Sequence, residues 1–148
     1  QSRRQRQMCI RDRINAMRHN ITEMTVMGFH IDAYAHVNNA RYLEFLEAAR
    51  WQYYAKEWAE KTFEKNGWNI VIVKLDIHYR QAAVLGDILE IETSLHEVKR
   101  ATIQLKQQIR RKIDQKIVAN AHITFAVVCR KTLRPLRIAG KVREVLVG

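Results

Sequence analysis

The spacing of apolar residues in this chain changes at Gly67, and that change limits the folds open to it. From Tyr42 up to Gly67 apolar side chains recur every three or four positions, which is the period of one helix face. After Gly67 they alternate with polar ones, which is the period of β-strands. We predict one long helix, about Ala40 to Phe63, which Asn66 and Gly67 terminate. Strands are predicted in four later segments: 69–79, 87–95, 101–110 and 117–129.

Two further elements complete the predicted fold. Alternation in residues 19–31 predicts a strand before the helix, and a short helix is predicted from Gly140. This order predicts an α+β domain in which one long central helix is wrapped by a curled antiparallel sheet of about five strands. The links 82–86, 99–100 and 114–115 are short enough for hairpins. One helix covers one face of such a sheet, so we expect the other face or an edge to meet a second copy of the chain.

The chain is strongly basic, and part of its charge lies in an N-terminal tail. Among 148 residues there are 26 Lys and Arg against 15 Asp and Glu, a net charge of +11. Residues 1–13 hold five arginines and one aspartate, which suits a nucleic-acid arm, a transit peptide or a non-native segment. Residues 8–13 match the translation of a transposon-end sequencing adapter, which favours a non-native or disordered tail. The domain is therefore assigned to residues 14–148.

Several classes of function are disfavoured by what the sequence lacks. Cys9 and Cys129 are too few for a disulfide framework or a metal site. No apolar run reaches the length of a membrane span, and residues 1–13 lack the apolar stretch of a secretory signal. The later basic residues fall at predicted hairpins and strand ends, without a recognised nucleic-acid-binding motif. We expect a cytoplasmic protein that inserts into no membrane, binds no nucleic acid and holds no metal.

The polar turn before the predicted helix carries the candidate chemistry. It contains a carboxylate, Asp32, an imidazole, His36, and two amides, Asn38 and Asn39, which are also candidates for the helix N-cap. Backbone N–H groups at a helix start lack intrahelical acceptors and lie at the positive end of the helix dipole, so they suit an oxyanion. The segment from Asp32 to Glu44 has no Ser or Cys. Asp32 must therefore act directly, as a base or a nucleophile on an activated acyl group.

Residues 32–51 read DAYAHVNNARYLEFLEAARW. This run resembles the signature of hotdog-fold acyl-CoA thioesterases of the 4-hydroxybenzoyl-CoA thioesterase-like group, and it is especially similar to the FadM-type long-chain acyl-CoA thioesterases. Residues 76–87 and 121–125 are similar to that family in order and spacing, so the resemblance covers about residues 20–145. Two departures are Ala35, where many relatives carry glycine, and the absence of proline after Arg80. Ala35 makes a turn with positive φ less favourable.

The resemblance implies a hotdog domain that hydrolyses acyl-CoA thioesters without a metal or redox cofactor. It implies a homodimer or homotetramer, with acyl-CoA bound between subunits. Asp32 matches the catalytic aspartate, and the backbone N–H near Asn39 matches the group that polarises the thioester carbonyl. His36 either orients Asp32 or the thioester, or is a structural turn histidine.

The residues that bind the substrate are less sharply defined. Tyr42, Phe45 and Trp51 either pack in the core or an interface, or line an acyl channel. Arg80 is either a solvated surface charge or holds a phosphate of coenzyme A. Glu44 and Glu47 are interpreted as surface or interface charges. Two alternative functions stay open: a non-catalytic acyl- or CoA-binding module, and a thioesterase for short-chain or aromatic acyl groups.

Overall fold

The computed structural model describes residues 19–148, which form one five-stranded antiparallel sheet and four α-helices. The strands are β1 (His19–Thr25), β2 (Trp68–Tyr79), β3 (Ile88–Val98), β4 (Ile103–Arg111) and β5 (Ile117–Cys129). The helices are α1 (Arg41–Tyr53), α2 (Ala55–Ala59), α3 (Thr62–Asn66) and α4 (Gly140–Val147), and a 3-10 turn spans Gly28–His30. The predicted basic tail, residues 1–13, and the predicted domain start at residue 14 lie outside the described residues.

The predicted α+β hotdog class is confirmed. The strands are ordered β1-β3-β4-β5-β2, and α1 packs on the face of the sheet that we call the inner face. Alternate residues of β3, β4 and β5 are buried there, because side chains along a strand point to opposite faces. From α1 four side chains complete this core: Tyr42, Phe45, Leu46 and Ala49.

The prediction of one continuous helix from Ala40 to Phe63 is wrong, because the segment forms three helices. Tyr53 and Tyr54 are both buried, although neighbours on a straight helix point about 100° apart. A break at Tyr54 lets both rings face the core, and Tyr54 then packs edge-on against Phe63 and Phe125, each at 6.2 Å between ring centroids. A second break lies at Lys61, which has a φ of 55°. The predicted stop at Gly67 is confirmed, with a φ of 68°.

The expected hairpin at residues 82–86 is also wrong, whereas the other two short links do form hairpins. β2 pairs with β5 rather than with β3, so the chain crosses from one edge of the sheet toward the other after β2. Backbone hydrogen bonds hold this crossover: Val37 N–H donates to Ala83 O and Val26 N–H donates to Asp87 O, both at 2.9 Å. The crossover lies beside the start of α1, and it therefore borders the candidate site.

β2 is an edge strand whose inner face is only partly covered. On this inner face α1 packs mainly against β1 and β3, which lie toward the edge of the sheet opposite to β2. Leu75 and Ile77 of β2 are consequently half-buried, and Ile72 and Tyr79 are exposed. The register with β5 shifts by one residue at Val73. A trough therefore lies between α1 and β2. Within residues 19–148, no helix is long and apolar enough to cross a membrane.

Candidate active site

A tight turn holds Asp32 at the mouth of this trough. The Asp32 N–H donates to His36 O at 2.9 Å, and the Tyr34 N–H donates to Asp32 Oδ1 at 2.9 Å. Among the described residues, no group donates a hydrogen bond to the second carboxylate oxygen, Oδ2. Ala35 has a φ of 60°. The turn therefore does adopt the positive φ that is less favourable for alanine than for the glycine of many relatives.

The turn that leads into α1 presents a backbone donor to the same groove as Asp32. The Asn38 side chain satisfies Ala40 N–H at 2.9 Å, and Asn38 O accepts from Arg41 N–H at 2.9 Å. Asn38 thus performs part of the predicted capping role, although the N-cap position itself is Ala40. Within residues 19–148, the Asn39 N–H donates to no protein acceptor. The hydroxyl of Tyr79 donates to Asn39 O at 3.0 Å and ties this turn to the end of β2.

His30 supports the turn from behind, and the sequence interpretation missed it. Its Nδ1 accepts from Met27 N–H at 2.9 Å, and its backbone O accepts from Asn38 N–H at 2.9 Å. The ring packs edge-on against Phe45, with 4.8 Å between centroids. Burial lowers the pKa of His30, and the nearby charge of Arg41 lowers it further. The neutral imidazole is therefore favoured, and His30 bonds to backbone on both sides of Asp32.

All five predicted site residues line one open groove of about 470 Å³: Asp32, His36, Asn39, Tyr42 and Arg80. Asp32 and His36, the two titratable residues of the turn, do not bond to each other through their side chains. His36 is exposed, and among the described residues its imidazole forms no hydrogen bond to the carboxylate of Asp32. The role of orienting Asp32 therefore has no support from this geometry.

Tyr42 and Arg80 form different parts of the groove. Tyr42 is buried, and its hydroxyl accepts from Ala83 N–H at 3.3 Å, so it holds the crossover loop against α1. Burial raises the pKa of the Tyr42 hydroxyl. Arg80 is exposed at the rim, and no carboxylate within residues 19–148 forms an ion pair with its guanidinium. It is therefore available to an anionic ligand.

Arg111 also holds the crossover loop, whereas the sequence placed it only among the basic residues at strand ends and hairpins. Its guanidinium donates to Gln81 Oε1 and to Ala82 O, both at 3.3 Å. It also lies 3.7 Å from Asp87 Oδ2. These contacts bring together residues that are distant in the chain, so no local pattern indicates them. Within residues 19–148, no group of three or more His, Cys, Asp or Glu is arranged to hold a metal ion.

Comparison with known families accounts for this combination of sheet and turn. A sequence model of the thioesterase-like superfamily matches residues 26–146. The chain belongs to this superfamily. The match includes the turn at Asp32, the whole of α1 and four of the five strands, and it begins directly after β1. The predicted membership of the hotdog thioesterases is therefore confirmed.

Individual members of the superfamily cover nearly the whole described domain. The long-chain acyl-CoA thioesterase FadM of Escherichia coli is 39% identical over 84% of this chain and 95% of its own. The acyl-CoA thioesterase YbgC of Haemophilus influenzae is 33% identical over 76% of this chain and 82% of its own. The crystal structure of YbaW from Escherichia coli is 39% identical and superposes with a TM-score of 0.80, over 85% of this chain and 95% of that one.

A more distant structure shares the fold. A mutant 4-hydroxybenzoyl-CoA thioesterase in complex with 4-hydroxybenzoyl-CoA has 20% identity and a TM-score of 0.77, over 86% of this chain and 98% of that one. At this identity the likeness concerns the arrangement of the helix and the sheet.

Proposed function

We propose that this chain hydrolyses long-chain acyl-CoA thioesters to the free acid and coenzyme A. One observation carries the proposal: Asp32 and Asn39 line the same groove at the start of α1, and among the described residues one carboxylate oxygen of Asp32 and the Asn39 N–H have no protein partner. The names of FadM and YbgC support an acyl-CoA thioester as the substrate, and the name of FadM supports a long acyl chain.

The groove supplies two of the groups that thioester hydrolysis needs. The Asn39 N–H, at the positive end of α1, stabilises the negative charge that develops on the thioester oxygen. Asp32 either removes a proton from a water molecule as that water attacks the carbonyl carbon, or attacks the carbon itself to give a mixed anhydride that water then hydrolyses. In both routes the C–S bond breaks and coenzyme A leaves as a thiolate, which needs little acid assistance.

Arg80 binds the substrate in this reaction, and no bound cofactor takes part. The unpaired guanidinium at the rim holds a phosphate of coenzyme A, for which a planar, permanently charged fork is well suited. No step requires a metal or redox group. The absence of such a cofactor and the cytoplasmic location stay predictions.

We further propose that two copies of the chain associate through β2, as a homodimer or as the unit of a homotetramer. β2 is an edge strand with unpaired backbone groups and three consecutive exposed apolar residues, Val71, Ile72 and Val73. Exposed edges of this kind pair readily with another strand. A second copy would also cover the open side of the trough. Light scattering on the purified protein measures this state directly.

Replacement of Asp32 by Asn tests the catalytic assignment, because asparagine keeps the oxygen that accepts from Tyr34 N–H. We expect turnover to fall at least about a hundredfold, the range for loss of such a group. The assay follows release of the CoA thiol from palmitoyl-CoA. Asp114→Asn is the matched control, because Asp114 Oδ1 also accepts from a backbone N–H two residues later, Lys116, but lies outside the groove.

The outcomes separate the proposed function from its alternatives. Near-wild-type turnover in a folded Asp32→Asn variant would remove Asp32 from the chemistry. Binding of acyl-CoA by the wild type without release of thiol would identify a non-catalytic binding module. A preference for acetyl-CoA or benzoyl-CoA over palmitoyl-CoA would assign the chain to short or aromatic acyl groups.

A further inference from the structure

A second cavity, of about 170 Å³, lies along the same trough and takes no part in the chemistry described above. We call it the tryptophan pocket. Its helix side is formed by Trp51, Tyr54 and Trp58, and its sheet side includes Ile72, Leu105 and Phe125. The rings of Trp51 and Trp58 stack with 4.3 Å between centroids, and Trp51 is half exposed. An exposed tryptophan beside an apolar cavity marks a place where hydrocarbon can be buried.

The charged residues at the pocket do not make it an ion site. Glu47 and Arg50 both line it from α1 and carry opposite charges. The Arg50 guanidinium donates to Gln107 Oε1 at 3.0 Å, which draws it toward the buried side of the helix. The pocket therefore has no net charge to attract an ion, and its remaining lining favours an apolar occupant.

The position of the pocket relative to Asn39 sets the length of that occupant. Trp51 follows Arg41, the first residue of α1, by ten residues, which is about 15 Å along the helix axis, and Asn39 lies two residues before the helix, so the two sites are about 18 Å apart. Leu43 and Glu47 occupy the intermediate positions of the same helix face, since residues four apart lie one above the other. Across the trough, β2 presents the half-buried Leu75 and Ile77. Both cavities therefore lie between α1 and β2, and half-buried apolar side chains of β2 occupy the stretch of strand between them.

We propose that the tryptophan pocket receives the terminal carbons of a long acyl chain whose carbonyl lies at the Asn39 N–H, so that Trp51, Trp58 and Ile72 set the chain-length preference. This inference rests on the proposed function. An extended chain advances about 1.3 Å per carbon, so about 14 carbons span the 18 Å. Chains of 8 carbons end well short of the pocket, whereas those of 14 or more reach it.

Ile72→Trp tests the inference by filling the pocket, since the residue lies on the β-strand side of its lining and tryptophan is well tolerated in strands. We measure kcat/KM for saturated acyl-CoA substrates of 8, 12 and 16 carbons, each below its critical micelle concentration. The ratio of the 16-carbon to the 8-carbon value should fall at least about tenfold. Ile113→Trp is the matched control, on the exposed β4–β5 turn, and it should leave the ratio unchanged.

A binding measurement keeps this test separate from the test of the reaction. In an Asp32→Asn background, palmitoyl-CoA should bind more tightly than octanoyl-CoA, and adding Ile72→Trp should remove that difference. If the wild type releases no thiol from any substrate, the proposed function fails and the binding difference still tests the pocket. An unchanged ratio or binding difference in folded Ile72→Trp protein would overturn the inference. If the ratio and the binding difference are unchanged but light scattering shows that Ile72→Trp alters the oligomeric state, the pocket belongs to the contact between two copies.

Discussion

Replacement of Gln107 by leucine tests the polar cluster buried beneath α1. Gln107 is fully buried on β4, and its Nε2 donates to Leu46 O at 3.0 Å and to Thr93 Oγ1 at 2.9 Å. Its Oε1 accepts from Arg50. Leucine fills a similar volume but makes none of these bonds. The fully buried Thr93 hydroxyl then loses its side-chain partner, which costs about 1–3 kcal/mol, and the half-buried Arg50 adds a smaller amount because water reaches it. We expect a loss of about 2–4 kcal/mol in the free energy of unfolding.

Urea unfolding followed by circular dichroism measures this loss, at one fixed protein concentration because association would contribute to stability. Gln104→Leu is the matched control: it lies on the same strand, but its side chain bonds to Thr124 on the outer face. For Gln104→Leu we expect the free energy of unfolding to fall by less than about 1 kcal/mol.

A double variant tests the same cluster in a second way. Adding Thr93→Val to Gln107→Leu should restore at least about 1 kcal/mol of the free energy of unfolding, because both partners are then apolar. A loss below about 1 kcal/mol for Gln107→Leu, or strict additivity with Thr93→Val, would refute the reasoning.

Two further predictions concern the turn at Asp32. Ala35→Gly should raise the free energy of unfolding by about 0.5 kcal/mol, because relief of the left-handed φ outweighs the entropy that glycine gains in the unfolded chain; a decrease in urea unfolding would contradict this. In the fold, burial and the charge of Arg41 lower the pKa of His30, and the charge of Glu44 opposes them only in part. The contribution of His30 to stability is therefore present above the unfolded pKa of about 6.5 and is lost as the pH falls below that value. His30→Gln should therefore flatten the decline in stability between pH 7 and pH 5, unlike His36→Gln at an exposed position, and equal slopes in both variants would exclude His30 as the cause.

The strands could be predicted from the sequence where their burial alternates. Residues 117–129 form β5 with the predicted bounds, because one side of that strand meets the core along its whole length. The order of the strands could not be predicted, since the pairing of β2 with β5 is recorded in no local residue pattern. The breaks at Tyr54 and Lys61 were hidden because the apolar period continues across them.

The candidate site also contains residues that could be predicted from the sequence and residues that could not. Its turn is a continuous motif, so Asp32 and Asn39 could be assigned to one place from the resemblance, and the groove brings them together. The supporting roles of His30 and Arg111 could not be predicted, because these residues bind backbone groups and loop residues that only the fold brings near. The tryptophan pocket was hidden in part: Trp51 could be named as a candidate for an acyl channel, whereas Trp58 reaches the pocket only through the break between α1 and α2.

The hydrogen bond from the Tyr79 hydroxyl to Asn39 O has a mechanical consequence. It fastens the last residue of an exposed edge strand to the turn before α1, which offers the proposed carbonyl donor. Strand ends fray when nothing lies beside them, and a neighbouring strand along β2 would suppress that fraying. Self-association at this edge would then stiffen the donor end of the groove without any partner residue entering it. A subunit on its own would hold the thioester carbonyl less firmly than the same subunit in an assembly.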